Sequence, residues 1–395
     1  MNLRNAIWTL TASAALAVIA GCTTEPMTPL ATAEYIGSER CGGCHVEQYK
    51  TWKTTLHANM VRTRDAGILK DVVANWASDG KNPGPTKVNL TGAPAKLDEV
   101  THVVGSHWKQ RFLVKNAQTG GHSFLDKQWN RMTKAWEPYG QKNDWETNCA
   151  TCHVTGLRVL SYDEKNPAAQ KVTFAEVNVG CEACHGPGSK HVQSRKKVDI
   201  YTFADKPKEV QTRVCGYCHI RLENELFHTA QGNPAEYLPH PTLGQTWKPG
   251  DDWTKWYPDK AIIPGVHAED KIDATYKGDL AGMFKLDDQS KKTGIYDAGK
   301  HHQQYQEYLQ SKHYKSGVAS CSDCHSSHGG AKPAIVAENT CRNCHDASFT
   351  VEKYMPATGQ TAAGLFIRTH TFNKDQARPK ALTASGQAVL QNAAK

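Results

Sequence analysis

The sequence predicts a mainly α-helical protein with extensive irregular loops and a small β-hairpin, built around bound groups instead of one large apolar core. Three observations carry this expectation. Hydrophobic residues fill only 39% of the 395 positions, few for a conventional core in a chain long enough for two or three domains. Apolar spacings of three and four accompany a repeated cysteine motif, whereas alternation is confined to one stretch, Val100–Trp129. The motif itself, Cys-x-x-Cys-His, occurs six times.

Its copies are Cys41, Cys44 and His45; Cys149, Cys152 and His153; Cys181, Cys184 and His185; Cys215, Cys218 and His219; Cys321, Cys324 and His325; and Cys341, Cys344 and His345. This spacing is the attachment signal of a c-type haem. The two thiols add to the porphyrin vinyl groups, and the adjacent imidazole reaches the iron as its proximal ligand. Twelve paired cysteines would also suit three four-cysteine zinc sites or six redox disulfides. Neither chemistry calls for a histidine after the second cysteine, and His fills only 19 of 395 positions. Six covalently bound haem c groups are therefore expected, and a haem-cored fold with them. Each macrocycle is a flat apolar body around which short segments can pack.

The formal charge of +8 would suggest nucleic acid or an anionic surface. Six haems bring roughly twelve propionates, and each ferric porphyrin returns about one positive charge. The assembled protein then sits near neutrality. No run of five basic residues occurs, so nucleic-acid binding is rejected.

Taken in order, Met1–Gly21 reads as a secretory signal, with Arg4 before an apolar stretch too short and Ala-rich for a membrane span. Ile19-Ala20-Gly21-Cys22 resembles a bacterial lipoprotein cleavage site. Lipidation of Cys22 also accounts for the odd thirteenth cysteine; ordinary cleavage nearby would leave it a free thiol. Thr23 follows, with no inner-membrane-retaining Asp, so the outer membrane is the expected destination. Residues 22–34 form the tether.

Ser38 is placed to cap a helix through the first motif, with Tyr49, Trp52 and Leu56 on the same face as His45. His57 lies about 18 Å along such a helix from His45. It cannot share that iron and is assigned as the distal ligand of a neighbouring haem. The hairpin is expected between Val100–Asn116 and Ser123–Trp129, turning at Thr119-Gly120-Gly121. His102, His107 and His122 fall here and are read as packing residues. A short strand is expected at Lys171–Asn178. His191 follows His185 by six residues across Gly186-Pro187-Gly188, too near to go round a macrocycle, so it too is assigned to a neighbouring haem.

The stretches GSERCGGCHVEQYKTWKTTLHANM (Gly37–Met60), GSHWKQRFLV (Gly105–Val114) and Cys181–His191 resemble the cytochrome c-554 family of multihaem cytochromes. The resemblance spans roughly Tyr35–Arg221. It implies closely stacked haem pairs with mostly two-histidine ligation. The lipoprotein signal and two further motifs depart from the family, so its role in nitrification does not transfer.

Leu222–Lys300 has no motif and reads as an irregular connector; His240 is its candidate distal ligand, ahead of His228 and His267. His302, Tyr305, Leu309 and His313 are spaced as one helical face, which makes His302 and His313 candidate distal ligands. His328, three residues past His325, and His370, the last histidine, complete the candidates. The expected division is a signal peptide (1–21), the tether (22–34), a tetrahaem region (35–225), a haem-free connector (226–300) and a dihaem region (301–395).

Six proximal histidines leave thirteen others, while methionine occurs only six times and never in a ligand setting. Two-histidine ligation implies low potentials relative to Met/His haems. The expected function is respiratory electron transfer by an exported, lipid-anchored cytochrome at the periplasmic or outer-membrane surface. Its partners would be other cytochromes and quinol-linked donors. One alternative is a reductase of nitrite, hydroxylamine or a sulfur compound with one open haem, lined by His107 or Tyr139; the CxxCK signature of ammonia-forming nitrite reductases is absent. Another is a filament stacking terminal haem on terminal haem.

Overall fold

A computed structural model describes residues 33–64, 71–76, 83–87, 91–105, 108–139, 145–163, 165–166, 170–221, 224–228, 234–235, 239–256, 284–285, 288–299, 301–329, 338–360 and 366–373. Cys22, His107 and His267 lie outside them, as does the side chain of His228. Residues from Glu34 onward form one compact unit.

Alternation in the residues around Phe112 produces more than a hairpin. Six antiparallel strands form one sheet: β1 (Val61–Thr63), β2 (Val100–Val104), β3 (Lys109–Lys115), β4 (His122–Phe124), β5 (Lys127–Asn130) and β6 (Ala135–Pro138). Their order is β1-β2-β3-β5-β6, with β4 also on β3. The expected turn joins β3 to β4. Gly120 takes a φ of 76°, which side chains disfavour, and the Asn116 side chain accepts from the Gln118 and Thr119 amides. In register, Leu113 faces Phe124 and Gln110 faces Trp129.

The pleat separates two clusters. Phe112 and Val114 join Val100, Val103, Leu125, Trp129 and Trp136 in one. Leu113, between them in sequence, joins Val61, Phe124, Trp145, Ala150 and Val154 in the other. The second cluster carries the helix Ala150–His153, so the sheet is the platform of the second motif. The fold is thus mixed helix and sheet, which corrects the mainly α expectation. The alternating residues nucleate a whole sheet because both faces of β3 have apolar partners.

The helices are short. Among the described residues the longest is Lys208–Gly216, nine residues, below what is stable alone in water. The first motif runs through α1 (Ser38–Gly42), α2 (Val46–Trp52) and α3 (Leu56–Asn59). These replace the single helix expected from Tyr49, Trp52 and Leu56. Gly37, not Ser38, takes the N-cap position; the Ser38 hydroxyl instead donates to Glu176. The expected His302–His313 helix likewise divides into Gln304–Tyr308 and Lys312–Ser316. Ser311 restarts it by accepting from the Tyr314 amide.

A third cluster joins Val214, Tyr217 and Ile220 to Trp247, Trp253, Tyr305 and Leu309. Tyr217 stacks on Trp247 at 4.3 Å. The motif-free segment therefore supplies core tryptophans beside the fourth motif. Among the described residues no helix is long and apolar enough to cross a membrane.

Candidate haem-binding sites

A buried carboxylate, Glu182, and a half-buried one, Glu176, bring the first motif to the third. Glu182, inside the third motif and 1% exposed, accepts from the amides of Ile36, Gly37 and Gly188 at 2.7–3.0 Å. Glu176 accepts from the Ser38 amide and hydroxyl, and that hydroxyl accepts from the Cys181 amide. The Glu176 carboxylate and Ser38 hydroxyl lie so close to the backbone at Gly180 that a Cβ there would collide with both. Cys41 and Cys181 consequently lie within hydrogen-bonding reach. Cys215 and Cys321 meet in the same way. Cys184 neighbours Cys218, and Cys324 neighbours Cys341 and Cys344. All twelve motif cysteines are unbridged. Among the described residues no three His, Cys, Asp or Glu side chains converge on one metal-ion position.

The histidines fall into pairs. His45 faces His191 with ring centres 6.2 Å apart, and His57 faces His219 at 6.3 Å. His185 faces His328 at 6.0 Å, His313 faces His345 at 5.9 Å, and His325 faces His370 at 6.1 Å. A metal–imidazole bond is about 2 Å and the ring centre lies about 1.1 Å behind the nitrogen. Two imidazoles on opposite sides of one iron are therefore about 6.2 Å apart, the separation seen in all five pairs. Each pair joins one motif histidine to one histidine outside the motifs.

Hydrogen bonds orient these rings. His185 Nδ1 meets the Tyr201 carbonyl at 2.8 Å and His191 Nδ1 meets that of Lys196 at 2.9 Å. His370 Nδ1 meets the Arg368 carbonyl at 3.1 Å, and His219 Nδ1 meets Gln304 Oε1 at 3.2 Å. An acceptor at Nδ1 puts the proton there and leaves the Nε2 lone pair for iron. Burial, and then the neighbouring imidazoles, push His57 and His325 down to about 4. Both are neutral at pH 7, the form that binds metal. The residues fit haem. When bound, the group supplies a one-electron couple, and the chain's part is to hold and bury it.

The second motif differs. His153 is pushed down to about 4 by burial and then by the Arg111 charge. Among the described residues no imidazole lies opposite it at the distance of the other five pairs; its ring neighbour is Trp145, at 5.7 Å. Arg111 lies 4.7 Å above the Tyr139 ring. His302, half-buried, interacts electrostatically with both His153 and His219. His240 is not brought to a motif histidine: its ring meets Trp256 at 4.4 Å and its Nδ1 accepts from the Thr242 amide. His102 and His122 pack edge to face at 4.7 Å, with His122 on Glu146.

Gln304, Arg221 and Glu182 are the residues that sequence reasoning missed. Glu182 carried a faint signal, lying inside a motif; Gln304 and Arg221 carried none.

The family model described as "Cytochrome c554 and c-prime" matches residues 40–82 and 106–186. Cytochrome c-554 of Nitrosomonas europaea is 21% identical over 272 residues, 66% of this chain and 85% of its own. The crystal structure of the outer cell wall cytochrome OcwA superposes with a TM-score of 0.60 at 19% identity, covering 86% of this chain and 79% of that one. That match shows the fold. Together with the repeated attachment motif, these likenesses identify the chain as a multihaem c-type cytochrome involved in electron transfer.

Proposed function

We propose that the chain holds six haem c groups and passes electrons along them at the surface of the cell, as an exported protein anchored by a lipid on Cys22. The observation that carries this reading is the set of five imidazole pairs at 5.9–6.3 Å. An iron with both axial positions filled binds no substrate and is left to exchange electrons. His57, His191, His313, His328 and His370 are the distal ligands in this reading.

The sulfur contacts support an order of passage. Cys41 with Cys181 joins the first site to the third, and Cys184 with Cys218 joins the third to the fourth. Cys215 with Cys321 leads to the fifth, and Cys324 with Cys341 to the sixth. The second site meets this line at the fourth, where His302 neighbours both His153 and His219. Partners are other redox proteins. The signal-like Met1–Gly21 and the likeness to an outer cell wall cytochrome support export.

Intact mass after acid–organic extraction tests the first claim. Six retained macrocycles are expected; fewer, or pigment lost to the solvent, overturns it. Optical titration against potential should give several overlapping low-potential steps, and a single step would refute a multi-centre path. Cys22→Ser should release the protein from the membrane fraction, and unchanged retention would end the lipid-anchor reading.

A further inference from the structure

The imidazole pair at the sixth motif is arranged unlike the rest. The planes of His313 and His345 cross at 89°, whereas those of the first, third and fifth sites lie within 20°, 12° and 29° of parallel. The fourth pair is crossed too, at 72°, but there Gln304 accepts from His219. At the first, third and fifth sites a backbone carbonyl meets Nδ1 of one ring. His313 Nδ1, by contrast, is buried and has no hydrogen-bond partner. A buried polar atom left unpaired calls for a reason, and a redox role is one.

An aromatic ring, in place of a carbonyl, packs on His313. Phe372 has its ring centre 4.7 Å from that of His313 and 6.2 Å from that of His370. A phenyl ring offers an N–H group at most a weak contact with its face. Phe372 has a φ of 53°, costly for a residue with a side chain and kept where the surroundings impose it. The turn before it is pinned: the Thr369 and Thr371 hydroxyls donate to Asp297, and the His370 amide donates to Glu307. One fixed turn therefore sends His370 to the fifth site and Phe372 against the distal ring of the sixth. On the other side Phe349 stacks on His345 at 4.1 Å.

Both features raise a reduction potential. With Nε2 left for iron, Nδ1 carries the proton, and a proton given to no acceptor leaves the ring a weaker donor to ferric iron. Imidazole π electrons reach only the iron d orbital at right angles to the ring plane. Parallel rings together stabilise the ferric hole in one orbital, and crossed rings do not. Asp346, beside His345, works the other way, but it is exposed, water screens it, and Lys353 is near it as well. We propose that His313 makes the sixth site the highest in potential of the five paired sites, the end of the line where reducing equivalents collect. Phe372 is the positioning residue that keeps the His313 ring crossed and without an acceptor. This rests on His313 and His345 being axial ligands of one haem, and it gives the proposed line a direction.

A reductive titration of the full haem-loaded protein, followed by electron paramagnetic resonance, tests it. Crossed axial rings give a highly anisotropic low-spin ferric signal, and near-parallel rings a rhombic one. His313→Ala identifies the sixth haem, and His57→Ala the fourth, by the signal each removes. The sixth signal should be anisotropic. In the wild type it should vanish at a higher potential than the rhombic signals and the fourth. Phe372→Ala, which frees the ring and admits water to Nδ1, should shift that one step to lower potential; Phe372→Leu, which keeps apolar bulk, should shift it less. A His313→Ala protein that retains every low-spin signal refutes the ligand reading itself. A sixth signal that is rhombic, or that vanishes after the others, overturns the potential order and leaves the ligand reading standing. A step unmoved in both Phe372 variants overturns the role of Phe372. The wild-type titration decides the order even where a variant does not fold.

Discussion

His185 and His328 face each other at 6.0 Å with their rings within 12° of parallel. One belongs to the third motif and the other lies just past the fifth, so a site in the middle of the chain is completed from its C-terminal region. The third motif and the stretch past the fifth are therefore joined through this ring pair, as well as through the cluster of Tyr217, Trp253 and Tyr305.

Replacing His328 with Ala should convert one haem to high spin and leave the others unchanged. The same holds for His57→Ala at the fourth site and His191→Ala at the first. Resonance Raman spin-state markers check each variant. An unaltered spectrum in all three would mean that the facing rings are not axial ligands.

Gln304 accepts at His219 Nδ1 and would make that imidazole a stronger donor to a bound haem iron. Gln304→Leu should raise the reduction potential of one haem and leave its spin state as it was. A potentiometric titration in which every step stays in place would refute the role.

Glu182→Ala would strand three backbone amides that now share one buried carboxylate. Unsatisfied buried donors cost about 1–3 kcal/mol each, so a loss of about 3 kcal/mol in urea unfolding is expected. The first and third sites should loosen together, since Glu182 holds Ile36 and Gly37 against the third motif. A loss below about 0.5 kcal/mol, ordinary for a surface change, would show that the contacts are replaced by water.

Burial pushes Asp297 up to about 7, helped by the nearby Glu307 charge, although the Thr369 and Thr371 hydroxyls oppose the shift. Its folded value lies above the unfolded 3.8, so the native state holds the proton more tightly. That contribution is complete below pH 3.8 and is lost as pH rises through 7. Asp297→Asn, which resembles the protonated acid, should flatten the stability profile between pH 4 and 7 by up to about 3 kcal/mol. An identical profile in the variant would show that Asp297 is ionised across the range.

Much of the site chemistry was legible from spacing. His191 follows His185 by six residues and His328 follows His325 by three, too close to span a macrocycle, so each had to look elsewhere. The structure places all four in two-ring pairs with different partners. Where local pattern was asked for more than it holds, it misled. Tyr49, Trp52 and Leu56 repeat at helical spacing, yet Thr55 accepts from the Ala58 amide and starts a new helix. Helical spacing reports a face; it says nothing of a break that costs one hydrogen bond and is repaid by docking.

The sequence alone determined the attachment chemistry, because two thiols and an imidazole within five residues reach one porphyrin whatever the rest of the chain does. It also pointed to histidine as the ligand pool, since methionine is scarce. Which second imidazole meets which motif was decided only by the tertiary structure. The partners sit on distant segments, and their separation is set by buried contacts such as Glu182 on Ile36 and Gln304 on His219.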